Sequence, residues 1–259
     1  QLGQWSRALE CYGRLLEEVP NDFDGWCGWA QCQLNLGVFS EAILGYERAL
    51  VFRPGAVEIL EVLSDLNRRT GDLEGALSCL ERLIVLVPGV ARYCANLGLL
   101  RMELGRYGGA LEACDEALAL DSDLVAAWAT RGGVLAQLGR FDEAVLSCEK
   151  ALMLDAGCVE AYVNKGRALV GLGREEAALI CFERALSLDD LDLAALESLG
   201  ALHRRLGDYG RALVVFDRLL TRDLAKSDYH LARGSVLSAL GRHGEALESF
   251  DRVLGLGCE

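Results

Sequence analysis

The chain is short of proline, lysine and histidine, with only three of each among 259 residues. Because proline is the strongest helix breaker, its scarcity together with abundant Leu and Ala favours a largely helical protein. The 26 basic residues are outnumbered by 39 acidic ones, which gives a net charge of −13. Nucleic-acid binders and proteins that dock on anionic lipid need a basic face, so this balance argues against both classes.

Long apolar runs are also missing. The longest stretch without a charged residue is 25–40, and it contains Gln31, Gln33 and Asn35. A membrane span needs about 20 mostly apolar residues, so we expect none. The chain has no signal-peptide pattern and does not begin with Met. We therefore expect that the natural N-terminus is missing, which leaves an upstream targeting segment open.

The ten cysteines include no C-x-x-C pair, so the spacing of a zinc ribbon or a thioredoxin-like site is absent. Five of them fall within apolar helical patterns, where we expect small buried hydrophobes: Cys11, Cys79, Cys114, Cys148 and Cys181. We predict that all ten thiols are free, with Cys258 the one that reacts fast. So many unpaired thiols indicate a reducing compartment, and the predicted location is the cytoplasm.

An exact 34-residue repeat organises the whole chain. It places glycine at Gly3, Gly37, Gly71, Gly105, Gly139, Gly173, Gly207 and Gly241. Five residues after each glycine it places alanine, at Ala8, Ala42, Ala76, Ala110, Ala144, Ala178, Ala212 and Ala246. The glycine predicts the left-handed turn that ends a first helix. The alanine predicts that the second helix closely approaches the first. Each repeat is then a helix pair that must stack on its neighbours.

These residues resemble the tetratricopeptide repeat (TPR), whose pattern includes A-x3-F followed by Pro. The chain shows Ala42-x3-Tyr46 with Pro54, and Trp128 followed by Gly132. The resemblance implies an all-α fold, a right-handed TPR superhelix, over a single solenoid at 1–259. The expected boundaries are a leading half-repeat at 1–22 and repeats at 23–56, 57–90, 91–124, 125–158, 159–192, 193–226 and 227–259.

The resemblance further implies a protein–protein interaction scaffold that binds an extended peptide or a partner helix in a groove lined by first helices. Outward first-helix positions change along the chain from acidic to small and apolar, at Ala95 and Ala129, and then to mixed. Asn96 and Asn164 share one column, where an amide can both donate to and accept from a ligand backbone. The candidate peptide-binding residues are Asp65, Arg92, Asn96, Leu99, Thr130, Gly133, Asn164, Arg167 and Ser198.

Other interpretations stay open. Acids at first-helix starts, such as Glu58 and Glu160, also favour the helix dipole, and the basic pairs Arg68-Arg69 and Arg204-Arg205 suit it at helix ends. The chain could instead be the recruiting region of a larger enzyme of glycosyltransferase or kinase type. It could also assemble end to end through apolar terminal helices that carry Leu16 and Leu247.

Two more specific functions are disfavoured. A TPR that clamps the acidic tail of a chaperone carries cationic residues in columns that hold Glu61, Ala126 and Thr130 here. Catalysis has no base beyond three histidines, which we interpret as structural, and no Gly-rich phosphate loop. We therefore predict no enzyme activity, no cofactor and no metal, and a protein or peptide partner rather than nucleic acid or membrane.

Overall fold

The computed structural model describes residues 2–256, with side chains from residue 3, and these residues form fifteen α-helices and no strand. The first helices of the successive pairs are α2 (Phe23–Asn35), α4 (Val57–Thr70), α6 (Ala91–Glu103), α8 (Val125–Gln137), α10 (Val159–Gly171), α12 (Leu193–Arg205) and α14 (Ser227–Ala239). The second helices are α1 (Leu2–Glu18), α3 (Phe39–Phe52), α5 (Leu73–Leu86), α7 (Tyr107–Leu120), α9 (Phe141–Leu154), α11 (Glu175–Leu188), α13 (Tyr209–Arg222) and α15 (His243–Leu256). The predicted all-α fold is confirmed.

The chain divides into two compact units, Gln1–Leu124 and Val125–Glu259. In the first unit, a core that runs from Ala30 to Ala113 joins α2 to α7. In the second unit, the largest core runs from Val163 to Ala246 and joins α10 to α15, while Ala129, Ala151 and Ala161 form a smaller one. Within the two units, the second helices α3, α5, α9, α11 and α13 each pack against the first helix before them and the first helix after them.

The repeated glycines end the first helices as expected. Gly37 has φ of +79°, and the backbone N–H of Val38 donates to the carbonyl of Gln33, which closes a Schellman motif at the end of α2. The six later period glycines also have positive φ, between 71° and 88°. Gly3 differs, and its prediction as a turn is wrong. It lies inside α1, because no helix precedes it in the described residues and the backbone has no turn to make.

The repeated alanines are buried where a helix pair closes. Ala42, Ala110 and Ala178 have no exposed surface, and the same holds for Ala76, Ala144 and Ala212. A second close contact lies opposite, at glycines of the first helices. A Cβ atom on Gly132 would lie 2.4 Å from Sγ of Cys148, and one on Gly166 would lie 2.4 Å from the ring of Phe182. Both helices of a pair therefore depend on small residues at their point of closest approach.

The nine cysteines in the described residues are free, but the expectation that Cys11 is buried is wrong. Cys11 is exposed on α1, which in the described residues packs against α2 and no other helix, whereas α3, α5, α9, α11 and α13 have a first helix on each side. Burial raises the pKa of Cys148 to about 12 and that of Cys27 to about 11. Cys258, which we predicted to react fast, lies outside the described residues.

Cys11 is expected to react with a thiol reagent faster than every other cysteine in residues 3–256, because it is the exposed one among them. Peptide mass spectrometry after brief labelling of the native chain measures this order. Labelling of Cys79 or Cys181 at the rate of Cys11 would contradict the packing of α5 and α11. Intramolecular disulfides in the non-reduced chain would contradict both the free thiols and the predicted cytoplasmic location.

Candidate functional site

In the first unit, a cavity of about 220 Å³ opens between the first helices α4 and α6, with α5 as its floor. It brings together the four candidate residues of this unit: Asp65, Arg92, Asn96 and Leu99. Asp65, Arg92 and Asn96 are exposed, and Leu99 is half-buried. The predicted outward columns of α4 and α6 therefore face one shared space, whose apolar floor is formed by Leu80 and Leu83.

A cluster of Glu61, Tyr93 and Arg92 forms one wall of this cavity and links α4 to α6. The hydroxyl of Tyr93 donates to Oε1 of Glu61 at 2.5 Å, and Nη2 of Arg92 donates to the same oxygen. The guanidinium carbon of Arg92 lies 5.0 Å from the centre of the Tyr93 ring. The hydrogen bond to Glu61 raises the pKa of Tyr93, because the phenol is held in its donating form. The cluster fixes the spacing of the two helices that border the cavity.

The same arrangement recurs in the second unit with Glu197, Tyr229 and Lys226. The hydroxyl of Tyr229 donates to Oε1 of Glu197 at 2.5 Å, and Nζ of Lys226 lies 3.2 Å from that oxygen. Burial raises the pKa of Glu197, but hydrogen bonds from Tyr229 and Lys226 outweigh it, and the pKa lies below its ordinary value. Sequence reasoning missed both clusters. The available signal was that Glu197 and Tyr229 lie four repeats after Glu61 and Tyr93.

A larger cavity, of about 540 Å³, opens in the second unit between α10 and α12. It contains the candidate residues Arg167 and Ser198, and Nε of Arg167 donates to the Ser198 hydroxyl at 3.1 Å. Arg204 and Arg205, interpreted from the sequence only as partners of the helix dipole, also line this cavity. Phe182 of α11 lies beneath it, in the column that Leu80 occupies in the first unit.

The remaining candidates, Thr130, Gly133 and Asn164, are buried in the second unit. Thr130 is 3% exposed and Asn164 is 6% exposed. Nδ2 of Asn164 donates to the backbone carbonyl of Ala129 at 3.1 Å, so this amide already joins α10 to α8. Ala95 and Ala129, expected in the small apolar middle of the groove, are buried as well. The role of these residues in ligand binding stays a prediction.

Two of the three histidines, His203 and His230, have polar contacts within the protein. His203 is 4% exposed, and burial lowers its pKa even though the carboxylate of Asp208 lies 3.9 Å from Nδ1. A ring nitrogen of His230 lies 2.9 Å from the carbonyl of Leu224. Across the part of the chain that the structure describes, no three His, Cys, Asp or Glu side chains are close enough to hold a metal ion.

The first and the last described helix both carry exposed apolar side chains, among them Trp5 and Leu15 on α1. Leu16 of α1, expected to lack a partner, is buried, and it lies against Gly25 of α2. Leu247 and Leu254 of α15 are exposed at 62% and 69%. End-to-end association through such a face stays a prediction. No helix between residues 2 and 256 has the length and apolar character that crossing a bilayer requires.

Paired antiparallel helices at a fixed 34-residue period, closed by buried alanines and ended by positive-φ glycines, define a helical-repeat protein. One family model described as tetratricopeptide repeat matches residues 1–58, 62–125, 96–158 and 198–257, and a second model with the same description matches 159–190. The chain belongs to the tetratricopeptide repeat family.

Solved structures show the same fold. A TPR protein from Parabacteroides merdae is 20% identical with a TM-score of 0.70, and the match covers 96% of this chain and 94% of that one. MamA is 27% identical with a TM-score of 0.55, over 62% of this chain and 94% of its own. YrrB, described as a TPR protein with an unusual peptide-binding site, is 20% identical with a TM-score of 0.55, over 74% and 98%. Comparison with curated proteins gave no match.

Proposed function

We propose that this chain is a protein-interaction scaffold that binds an extended peptide or a partner helix on the faces of its first helices. In the first unit the contact residues are Asp65, Arg92, Asn96 and Leu99. In the second unit the contact residues are Arg167 and Ser198. The buried Thr130, Gly133 and Asn164 contribute indirectly, because they set how closely α8 and α10 pack. We propose no catalytic role, no cofactor and no bound metal.

The observation that carries this proposal is the cavity between α4 and α6. Four side chains chosen from outward first-helix columns line one space, although they come from two helices in different repeats. The space combines an apolar floor, a carboxylate, a guanidinium and an amide. Binding pockets typically have this composition, with apolar contact for affinity and a few polar groups that fix orientation.

Asn96 supports binding of an extended backbone in particular. Its side chain is exposed, and among residues 3–256 no hydrogen bond engages its amide. An amide presents two donors and an acceptor, which match the alternating carbonyl and N–H groups of an extended peptide. Leu99, one turn further along α6, offers an apolar contact beside it. Peptide binding is also what the description of YrrB names for that protein.

We further propose that the protein works in the cytoplasm, since nine described thiols are free and six of them are buried. The alternative, a recruiting region attached to a larger enzyme, stays a prediction.

Selection of peptides from a random 12-residue displayed library, with the 259-residue chain as bait, tests the proposal. We expect enriched peptides, each of which loses about tenfold or more in affinity, about 1.4 kcal/mol, with Leu99→Arg in the first unit or with Ser198→Arg in the second. The physical reason is that the arginine fills the cavity that the peptide would occupy. Fluorescence polarisation of labelled peptides measures the affinities.

Two matched controls place the same arginine on second helices. Val85 on α5 is 81% exposed and Ile180 on α11 is 67% exposed, so both substitutions leave the fold intact. We expect Val85→Arg and Ile180→Arg to leave every affinity unchanged. Peptides that respond to these two variants and not to the first-helix variants would overturn the proposal, and so would a library from which nothing is enriched.

A further inference from the structure

The cavity between α10 and α12 concentrates positive charge in a chain whose net charge is −13. Arg167 enters it from α10, and Arg204 and Arg205 enter it from the end of α12. We call this space the arginine cavity. Its remaining lining is largely apolar and includes the half-buried Val170 and the buried Phe182 and Leu202. A group of guanidinium side chains beside apolar surface indicates an anionic ligand that also carries an apolar group.

The first unit contains the same pair of arginines with their charges compensated. Arg68 of α4 forms an ion pair with Glu103 of α6 at 2.8 Å, and Arg69 forms one with Asp65 at 3.5 Å. Those acids make the cavity between α4 and α6 close to neutral at this end. In the first unit, the arginines in these columns are therefore neutralised by carboxylates of the protein itself.

Four repeats later the arginines are retained and both acids are lost. Ala239 stands in the column of Glu103, and Ala201 stands in the column of Asp65. Arg204 forms no ion pair within residues 3–256, and Arg167 has only the hydroxyl of Ser198 as a hydrogen-bond partner there. Arg205 instead pairs with Glu175 of α11 at 2.7 Å. Arg204 and Arg167 thus face the cavity without an ion pair, although the charge of Arg167 also acts on the nearby carboxyl of Glu197.

We propose that the arginine cavity binds a segment of a partner protein in which Asp or Glu carboxylates flank one apolar side chain. The inference rests on the proposed scaffold function and adds the chemistry of the partner. Arg204 and Arg167 take the carboxylates through paired N–H donors, and the apolar side chain packs on the half-buried Val170, next to the buried Phe182 and Leu202. Carboxylate is the anion that the site already accepts, because Arg205 holds Glu175.

This site differs from the chaperone-tail clamp that the sequence argued against. That clamp would draw on columns at Ala129, Gly133 and Ser198, which carry no cation. The arginine cavity uses the last turn of α12, where the sequence suggested only a role in the helix dipole, and the middle of α10, where Arg167 was a candidate peptide-binding residue. The cations are therefore present in other columns than those expected for a clamp.

The test restores the missing acids without removing an arginine. In the library selection, the wild-type chain is expected to enrich peptides rich in Asp and Glu next to an apolar residue. The Ala201→Asp/Ala239→Glu variant is expected to lose this acidic enrichment, because its new carboxylates pair with Arg204 and Arg205 and add negative charge to the cavity that Arg167 lines. A labelled acidic peptide from the wild-type pool should bind the variant at least about tenfold more weakly than it binds the wild type. The same peptide with Asn and Gln in place of Asp and Glu should bind the wild type about tenfold more weakly as well.

Ala201→Asn/Ala239→Gln is the matched control, with similar size and no charge. Both alanines are exposed, so we expect it to fold and to retain the acidic enrichment. Acidic enrichment that persists in Ala201→Asp/Ala239→Glu would overturn the inference. Enriched peptides without excess Asp or Glu would refute this inference but remain consistent with the proposed scaffold function. No enrichment with any variant or with the wild type would refute the inference and the scaffold function together. Tenfold tighter binding when phosphoserine replaces Glu would overturn the choice of carboxylate in favour of a phosphopeptide.

Discussion

Replacing Phe182 by alanine is expected to lower the free energy of unfolding by about 4 kcal/mol. The ring is 1% exposed, and it packs so closely on α10 that a Cβ on Gly166 would lie 2.4 Å from it. The substitution removes buried apolar surface and leaves a cavity between α10 and α11. Denaturant unfolding followed by circular dichroism measures the loss.

A double-variant cycle separates this packing from a general loss of stability. Gly166→Leu alone should also be destabilising, because its side chain would overlap the ring. In the Gly166→Leu/Phe182→Ala variant the leucine occupies the vacated space, so the combined loss should fall short of the sum by about 1–3 kcal/mol. Gly108→Leu is the control, since no atom lies within 4 Å of a Cβ placed there. Strict additivity of the two losses would show that Gly166 and Phe182 are not in contact.

Enlarging a closing alanine is expected to have the second largest effect. Ala178→Leu should reduce the free energy of unfolding by about 3 kcal/mol, because Ala178 has no exposed surface and the extra atoms force α11 away from its neighbours. Unfolding by denaturant again provides the measurement.

Ala8→Leu is the matched control for this substitution. Ala8 occupies the same column on α1, but it is half-buried, because α1 contacts α2 and no other helix in the described residues. Its expected cost is about 0.5 kcal/mol. Equal losses from Ala178→Leu and Ala8→Leu would contradict the idea that the alanine column is set by the approach of helices on both sides.

The helices could be predicted because one period fixes both their starts and their ends. First helices begin every 34 residues from Phe23 to Ser227, and second helices do so from Phe39 to His243. The turn predicted at Gly3 was wrong, because Gly3 lies inside α1. A repeat pattern assigns each residue the conformation of its column, but a left-handed glycine also requires a preceding helix to end, and the described residues contain none before Gly3.

The candidate site was predictable in the first unit and less so in the second. Asp65, Arg92, Asn96 and Leu99 share a cavity because α4 and α6 keep their outward columns open. In the second unit the small residues of α8 allow α10 to approach, and the Asn164 amide bonds to the carbonyl of Ala129. Helical periodicity gives the direction of a side chain on its own helix. It does not give the distance to the next first helix, which decides whether that column remains exposed.

The charge of the arginine cavity was visible in the sequence but was not interpreted. Each arginine pair, taken alone, suits a helix end. The informative comparison is between repeats, where Asp65 and Glu103 accompany Arg68 and Arg69 while Ala201 and Ala239 accompany the later pair. Only the structure shows that the acids of the first unit reach those arginines.

Site-specific photo-cross-linking tests most directly whether ligands lie on the first-helix faces. A photoreactive amino acid is placed at Asn96 or Ser198 on the proposed faces, and at Val85 or Ile180 on second helices, each in the full chain with a selected peptide bound. The account predicts covalent capture of the peptide from Asn96 or Ser198 and none from Val85 or Ile180. Capture from Val85 or Ile180, with none from the two first-helix positions, would contradict it.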